Sequence, residues 1–322
     1  MSNNHEESVV DSVSIFEDDV LSGLKASGKT LPSKYFYDAK GDKLFQQIMH
    51  LDEYYLTNKE LEIFETHKAA ILDTISDGNP FRIIELGAGD GLKTKVLLKY
   101  FMEQGVDFTY TPVDISGNVL EILERNLVSE IPGLKIDAYE GDYFDALAEI
   151  SSSPEKDIVF FLGSNIGNFS QPEAVDFLSN LRTHLKPSDL LFMGVDLKKN
   201  PSAILAAYND SKGVTREFNL NLLDRINDEL DGDLDRDQFM HYPYYNPQTG
   251  ECRSYLISKV AQEAVIAGQS VSFRAWEAIF MEISKKYDTK QLKELADQTG
   301  FKILESFTDS QNWFADLVWV NK

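Results

Sequence analysis

The chain has 322 residues, and its 31 Lys+Arg against 53 Asp+Glu give a net charge of −22. Such acidity repels phosphate backbones, and no basic stripe offsets it, so nucleic-acid binding is not expected. Its 43% apolar and 26% charged residues are the proportions of a folded enzyme rather than a disordered chain. A single cysteine, Cys252, excludes an internal disulfide framework and argues against Cys-ligated zinc. The histidines His5, His50, His67, His184 and His241 form no H-x-x-H pair, so no metal site is expected. No apolar run reaches the roughly 18–20 residues that span a bilayer. The start, MSNNHEESVVDSVSIFEDD, is acidic where a secretory leader would be basic and then apolar. These features predict a cytoplasmic monomer with a small-molecule substrate and neither membrane nor nucleic-acid partner.

In chain order, residues 1–30 are polar, with a weakly amphipathic stretch at Ile15–Leu24. Leu31–Tyr55 is dense in aromatics: Tyr35, Phe36, Tyr37, Phe45, Tyr54 and Tyr55. Thr57 fits an N-cap and Glu60, three residues on, the partner of a capping box opening a helix to about Ser76. A β/α alternation then begins. Phe81–Leu86 is a continuously apolar strand, as buried parallel strands are. Lys93–Met102 reads as helix, Phe108–Val113 as strand, Gly117–Val128 as helix and Leu134–Tyr139 as a third strand. Ile158–Leu162, helix Pro172–Leu185 and strand Leu190–Leu197 continue it. The pattern predicts an α/β fold with a parallel sheet and helices on both faces. Residues 198–283 break the rhythm. They open with helices near Ala203–Tyr208 and Thr215–Leu230, then alternate as antiparallel strands, for instance Ser254–Ala261 and Val271–Ser284. Helix Thr289–Thr299 and the runs Phe301–Asp309 and Phe314–Val320 end the chain as a helix and an antiparallel hairpin. The expected division is a nucleotide-binding domain of 58–197 with 284–322, and a substrate lobe of 1–57 with 198–283.

Directly after the first strand comes Glu85-Leu-Gly87-Ala-Gly89-Asp90-Gly91. Glycines there admit close backbone approach by a ligand and leave the following helix's N–H groups free. Asp114 ends the second strand about 23 residues past Gly91, where a carboxylate accepts both hydroxyls of a ribose. Strand, turn, helix, strand and acid together predict a nucleoside-containing cofactor. Glu85 and Asp90 suit a sulfonium bearing a methionine tail better than a pyrophosphate. Gly141-Asp142-Tyr143 follows the third strand, where Asp142 accepts from an adenine amine and Tyr143 packs on its ring. S-adenosyl-L-methionine is therefore favoured over a dinucleotide, and the closing hairpin over the dehydrogenase pattern.

The chain resembles the L-histidine Nα-methyltransferase family of ergothioneine biosynthesis over almost its whole length. The resemblance runs through LPSKYFYD (Leu31–Asp38), LDEYYLTNKELEI (Leu51–Ile63), IELGAGDGLKT (Ile84–Thr94) and PVDIS (Pro112–Ser116). It continues in FLGSNIGNF (Phe161–Phe169), AYNDSKGVTREFNLNLL (Ala207–Leu223) and MEISKKY (Met281–Tyr287). It implies a class I S-adenosylmethionine methyltransferase fold, a Rossmann-like sheet with an inserted α+β lobe and the substrate pocket between them. It implies cofactor contacts at Gly87, Lys93, Asp114, Asp142 and Tyr143. Tyr54, Asn168 and Tyr208 would hold the substrate's amino and carboxylate groups, and Glu282 and Ser284 its two imidazole nitrogens. No residue is assigned to catalysis beyond positioning by Tyr54 and Asn168, because transfer to a neutral amine demands orientation more than acid–base chemistry.

Each residue has a plainer reading. Tyr54 and Tyr208 fit core aromatics, and Asn168 fits a turn residue bonding its own backbone. Lys93 is unfavourable at a helix N-terminus, which asks for a reason beyond propensity. Glu282 and Ser284 lie two apart on a strand and share a face, in an apolar run where a carboxylate needs a partner. The chain departs from the family at the acid within GAGDG, at MEISKKY in place of T-E-N-S-Y-K-Y, and at Ser254 where a methionine often lines the pocket. Three rival readings stand beside it: a methyltransferase of another amino acid such as an indole amine, a nicotinamide oxidoreductase, and a non-catalytic S-adenosylmethionine-binding protein.

Overall fold

A computed structural model describes residues 3–150 and 155–322. Helix α1 (Asn3–Lys25) and α2 (Ala39–Met49) precede the long α3 (Leu56–Ile75). The alternating region contains β1 (Phe81–Leu86), α4 (Thr94–Glu103), β2 (Phe108–Asp114), α5 (Gly117–Glu130), β3 (Lys135–Ile136) and β4 (Tyr139–Glu140). It continues with α6 (Tyr143–Ile150), β5 (Lys156–Phe161), α7 (Gln171–Thr183) and β6 (Leu190–Asp196). Next come α8 (Pro201–Ala207), α9 (Val214–Glu229), β7 (Phe239–Asn246), β8 (Glu251–Ser258), β9 (Gln262–Ile266), β10 (Gln269–Phe273) and β11 (Ala278–Lys285). The chain ends with α10 (Thr289–Thr299), β12 (Phe301–Thr308) and β13 (Phe314–Asn321). It divides into two compact units, Met1–Tyr55 with Asn200–Ser284, and Leu56–Lys199 with Lys285–Lys322.

The second of these is built on an eight-stranded sheet among the described residues, ordered β12-β13-β6-β5-β1-β2-β3, with β4 also on β2. β2, β1, β5 and β6 are parallel, and β13 enters antiparallel to β6. This is the class I methyltransferase arrangement. Every residue of β1 and β6 is buried, including Arg82 and Glu85, two charged residues within the strand expected to be continuously apolar. Period two still separates the faces. Ile84, Leu86, Val159, Phe161, Leu191 and Met193 pack in one core with residues of α6, α7 and α10. Phe160 and Phe192 point to the other face, where Phe192 stacks on Phe64 of α3 at 5.9 Å. α7 opens on a capping box of Ser170 and Glu173 with proline in its first turn.

The other unit packs α1, α2 and α9 with the sheets β11-β8-β7 and β10-β9 around its own apolar core. The aromatic segment supplies much of it. Phe36, Tyr37 and Phe45 surround the Phe218 ring of α9 at 4.9, 5.7 and 5.9 Å.

Five expectations need correction. Helix α3 begins at Leu56, and Glu60 closes no capping box; it is wholly buried and bonded to distant groups. The third strand is interrupted after Ile136, with Asp137 still donating its N–H to the Tyr110 carbonyl, and resumes as β4 at Tyr139. α6 follows where no helix was expected. The run Val271–Ser284 is two strands, parted by a turn in which Trp276 takes a left-handed φ of 65° and the Glu277 N–H bonds Arg274 O. β8 also lies earlier than expected, since its pairing with β7 aligns Glu251 with Asn246 and Ser258 with Phe239.

Candidate active site

The glycine turn after β1 is conformationally demanding. Gly87, Gly89 and Gly91 have φ of 70°, 55° and 62°, a region side chains resist. A Cβ on Gly87 would stand 2.7 Å from the Tyr143 hydroxyl, so Tyr143, at the start of α6, lies against the bare backbone. A Cβ on Gly89 would meet nothing within 4 Å, so the turn leaves open space beside it. That is room for a ligand at a backbone cradle, and it fits the nucleoside-bearing group expected there.

Asp114 ends β2, where its carboxylate accepts the Ser116 N–H at 3.1 Å and its carbonyl accepts the Gly141 N–H at 3.0 Å. Asp142 accepts the Phe144 N–H at 2.8 Å as α6 begins. Burial, then the charges of Asp114 and Asp142, push the Tyr143 phenol up to about 12. Gly87, Asp114, Asp142 and Tyr143 are thereby brought together at the C-terminal ends of β1 and β2. Glu85 differs from expectation. Its carboxylate turns inward, accepting from Tyr110 Oη at 2.6 Å and Thr94 Oγ1 at 2.7 Å. Burial raises it to about 7 despite those donors, so it braces the turn from beneath.

Lys93 immediately precedes α4, and its ammonium pairs with Glu60. Burial opposes that charge, but Glu60 outweighs it and the ammonium pKa is raised. The loop after β5 turns sharply: Gly163 and Ser164 have φ of 72° and 59°. Ser164 Oγ accepts the Asp196 N–H at 3.0 Å, fixing the loop to β6. Asn168 ends the short 3-10 turn Asn165–Asn168 and is exposed. Asn165 was not anticipated; its amide nitrogen lies 3.8 Å from the Cβ position of Gly87. The repeated Asn in SNIGN was the available signal.

The remaining predicted residues, Tyr54, Tyr208, Glu282 and Ser284, belong to the other unit. Tyr54 is half-buried, edge-on to Phe45 at 6.4 Å. Tyr208, at the end of α8, donates from its hydroxyl to Ser284 Oγ at 2.7 Å, and both are buried. Ser254 of β8, 1% exposed, donates to Glu282 Oε1 at 3.1 Å. Two hydroxyls thus sit beside the Glu282/Ser284 strand face. The backbone carbonyl of Tyr208 accepts from His241 Nε2 at 3.0 Å. Burial pulls the His241 pKa down, so the ring is neutral and donates from Nε2. Sequence reasoning missed His241, because one histidine in an alternating strand carries no signal of its partner. A surface cleft of about 340 Å³ lined by Glu65, Lys68, Lys95 and Tyr100 contains none of these residues.

Residues 16–321 match the family model described as histidine-specific, S-adenosylmethionine-dependent methyltransferase. The chain is 36% identical over 293 residues to a histidine N-alpha-methyltransferase of Mycolicibacterium smegmatis, covering 90% of each. It is 33% identical over 298 residues to the protein of that name in Mycobacterium tuberculosis, covering 92% of each. A 4-dimethylallyltryptophan N-methyltransferase of Claviceps fusiformis is 33% identical over 207 residues, 61% of this chain and 58% of that one. The cradle at Gly87, the sheet order and these matches agree, and the chain belongs to the S-adenosylmethionine-dependent histidine-specific methyltransferase family.

Proposed function

We propose that this enzyme methylates the α-amino group of L-histidine to Nα,Nα,Nα-trimethylhistidine (hercynine), a step of ergothioneine biosynthesis. The observation that carries the reading is Glu282, bonded to Ser254 and two residues from the Tyr208-bonded Ser284. An imidazole offers one N–H and one acceptor nitrogen, which suit a carboxylate beside a hydroxyl that both donates and accepts. An indole has only the N–H.

Bound S-adenosylmethionine supplies the electrophilic methyl group. Gly87, Lys93, Asp114, Asp142 and Tyr143 would hold it: Asp114 at the ribose, Asp142 and Tyr143 at the adenine, and Lys93 at the methionine carboxylate. Tyr54, Asn168 and Tyr208 bind the amino and carboxylate groups of histidine. Free histidine's amine is mostly protonated at neutral pH, so Tyr54 and Asn168 must accept its deprotonated form and orient the lone pair. Positioning supplies most of the rate. Because the amine must turn between rounds, these contacts are few and uncharged.

The name of the Claviceps relative makes an indole-bearing amino acid the rival. Mass spectrometry of products from a panel of free amino acids decides between them: mono-, di- and trimethylhistidine are expected, and turnover of tryptophan without histidine would overturn the assignment. Glu282→Ala should lower kcat/KM for histidine roughly 10- to 150-fold, the cost of a charge-assisted hydrogen bond, with cofactor affinity unchanged. Wild-type turnover in that variant would make the carboxylate structural.

A further inference from the structure

Glu60, on the first turns of α3, is fully buried yet has two partners far along the chain. Its Oε1 accepts the Gly163 N–H at 2.7 Å, and its Oε2 pairs with the Lys93 ammonium. The surroundings are shaped for it. A Cβ on Gly194 of β6 would fall 2.2 Å from Glu60 Oε1 and 3.1 Å from Asp316 Oδ1, so only glycine leaves room for the two carboxyls. Gly163, whose φ of 72° favours glycine, lies close to the ammonium: a Cβ there would stand 3.4 Å from Lys93 Nζ. The Lys93 side chain keeps 22% of its surface accessible while Glu60 keeps none. Of the pair, only the Lys93 side chain keeps surface through which a ligand could be met.

Asp316 of β13 completes the group. It is buried beside the Glu60 carboxyl, and among the described residues no N–H or basic group bonds either of its oxygens. Burial and the charge of Glu60 push its pKa well above the usual carboxylate range, which disfavours a second anion beside Glu60. Burying such an ion pair seldom stabilises a fold more than apolar residues of equal volume would. A lysine ahead of a helix is unfavourable as well. Stability alone does not account for this arrangement.

We propose that Glu60 is a positioning residue for methyl transfer, pinned by the Gly163 N–H and aiming the Lys93 ammonium at the methionine carboxylate of the cofactor. The proposal rests on the reading that Lys93 contacts the cofactor. Glu60 itself touches neither ligand and acts through Lys93.

The test is a double-mutant cycle read by calorimetric titration of S-adenosylhomocysteine into folded protein. Lys93→Met should weaken binding roughly 10- to 100-fold. Glu60→Ala should weaken it to a similar extent, raising the KM for S-adenosylmethionine while kcat at saturation changes less than about threefold. In the Lys93→Met background, Glu60→Ala should add nearly nothing. Glu60→Gln keeps the volume but only one acceptor for two donors, and covers the case in which the alanine variant fails to fold; a loss of about three- to tenfold is expected. Wild-type affinity in a folded Glu60 variant, or an equal loss with and without Lys93, overturns the positioning claim alone. Unchanged affinity in Lys93→Met overturns the reading beneath it.

Discussion

At the scale of single residues, the least expected charge is Glu85. Its pKa rises from 4.5 to about 7 because it is buried, and the Tyr110 and Thr94 hydroxyls recover only part of the cost. A carboxyl whose folded pKa is raised binds its proton more tightly in the folded state. Its contribution to stability is fully present below pH 4.5 and is lost as pH rises through about 7. The span corresponds to about 3 kcal/mol, at roughly 1.4 kcal/mol per pH unit. Glu85→Gln should therefore gain on the wild type by about 2–3 kcal/mol between about pH 5 and pH 8 in denaturant unfolding. Parallel stability curves for the two proteins would show that Glu85 is ionised throughout. The residue's neighbourhood was partly legible: its place before a glycine turn was plain, but not which way its carboxylate faces. That depends on Tyr110, 25 positions away in sequence and adjacent only once β1 and β2 pair.

Among elements, the strand–turn–helix unit around Gly87 is the most specific. Gly87→Ala forces a side chain to φ 70° and places a Cβ 2.7 Å from Tyr143 Oη. A residue held in that region costs on the order of 1–3 kcal/mol, and Tyr143 must also move. The variant should melt lower and bind S-adenosylhomocysteine at least tenfold more weakly; wild-type binding would remove the turn from the cofactor site. Asp114→Ala probes the next strand end. Losing a hydrogen-bonded charged partner should weaken binding by about 1.5–3 kcal/mol, measured by titration of the folded variant. Elements with a mostly apolar signature were the readable ones: β1 spans the expected Phe81–Leu86, and β5 and β6 lie within two residues of expectation. Those with mixed signatures were not. Leu134–Tyr139 alternates well enough for one strand, yet it is interrupted after Ile136; the polar turn at Trp276 parts β10 from β11.

For the molecule as a whole, each unit has an apolar core of its own among the described residues. A ligand bound only by the folded state stabilises it by about 2.7 kcal/mol at a hundred times its Kd. S-adenosylhomocysteine should therefore raise the melting temperature, with hydrogen-exchange protection concentrated at the C-terminal ends of β1 and β2. NAD should leave both unchanged. A shift with NAD and none with S-adenosylhomocysteine would contradict the assignment of the cofactor cradle. Among the described residues no helix is long and apolar enough to cross a membrane.

By itself the sequence determined the α/β class, the order of the alternating elements, the glycine turn and the family. All of these are written in local composition: apolar runs, glycines at fixed offsets, and acids at strand ends. The tertiary structure decided which polar groups meet. Glu60 obeys the spacing of a capping box with Thr57, and on local grounds nothing contradicts that role. Folding instead buries it against Lys93 and Gly163, 33 and 103 positions away. A buried carboxylate takes whichever donors surround it, because leaving it unpaired costs far more than any cap contributes. Those donors are set by sheet order, and neither Glu60's neighbours in sequence nor its residue type encodes them.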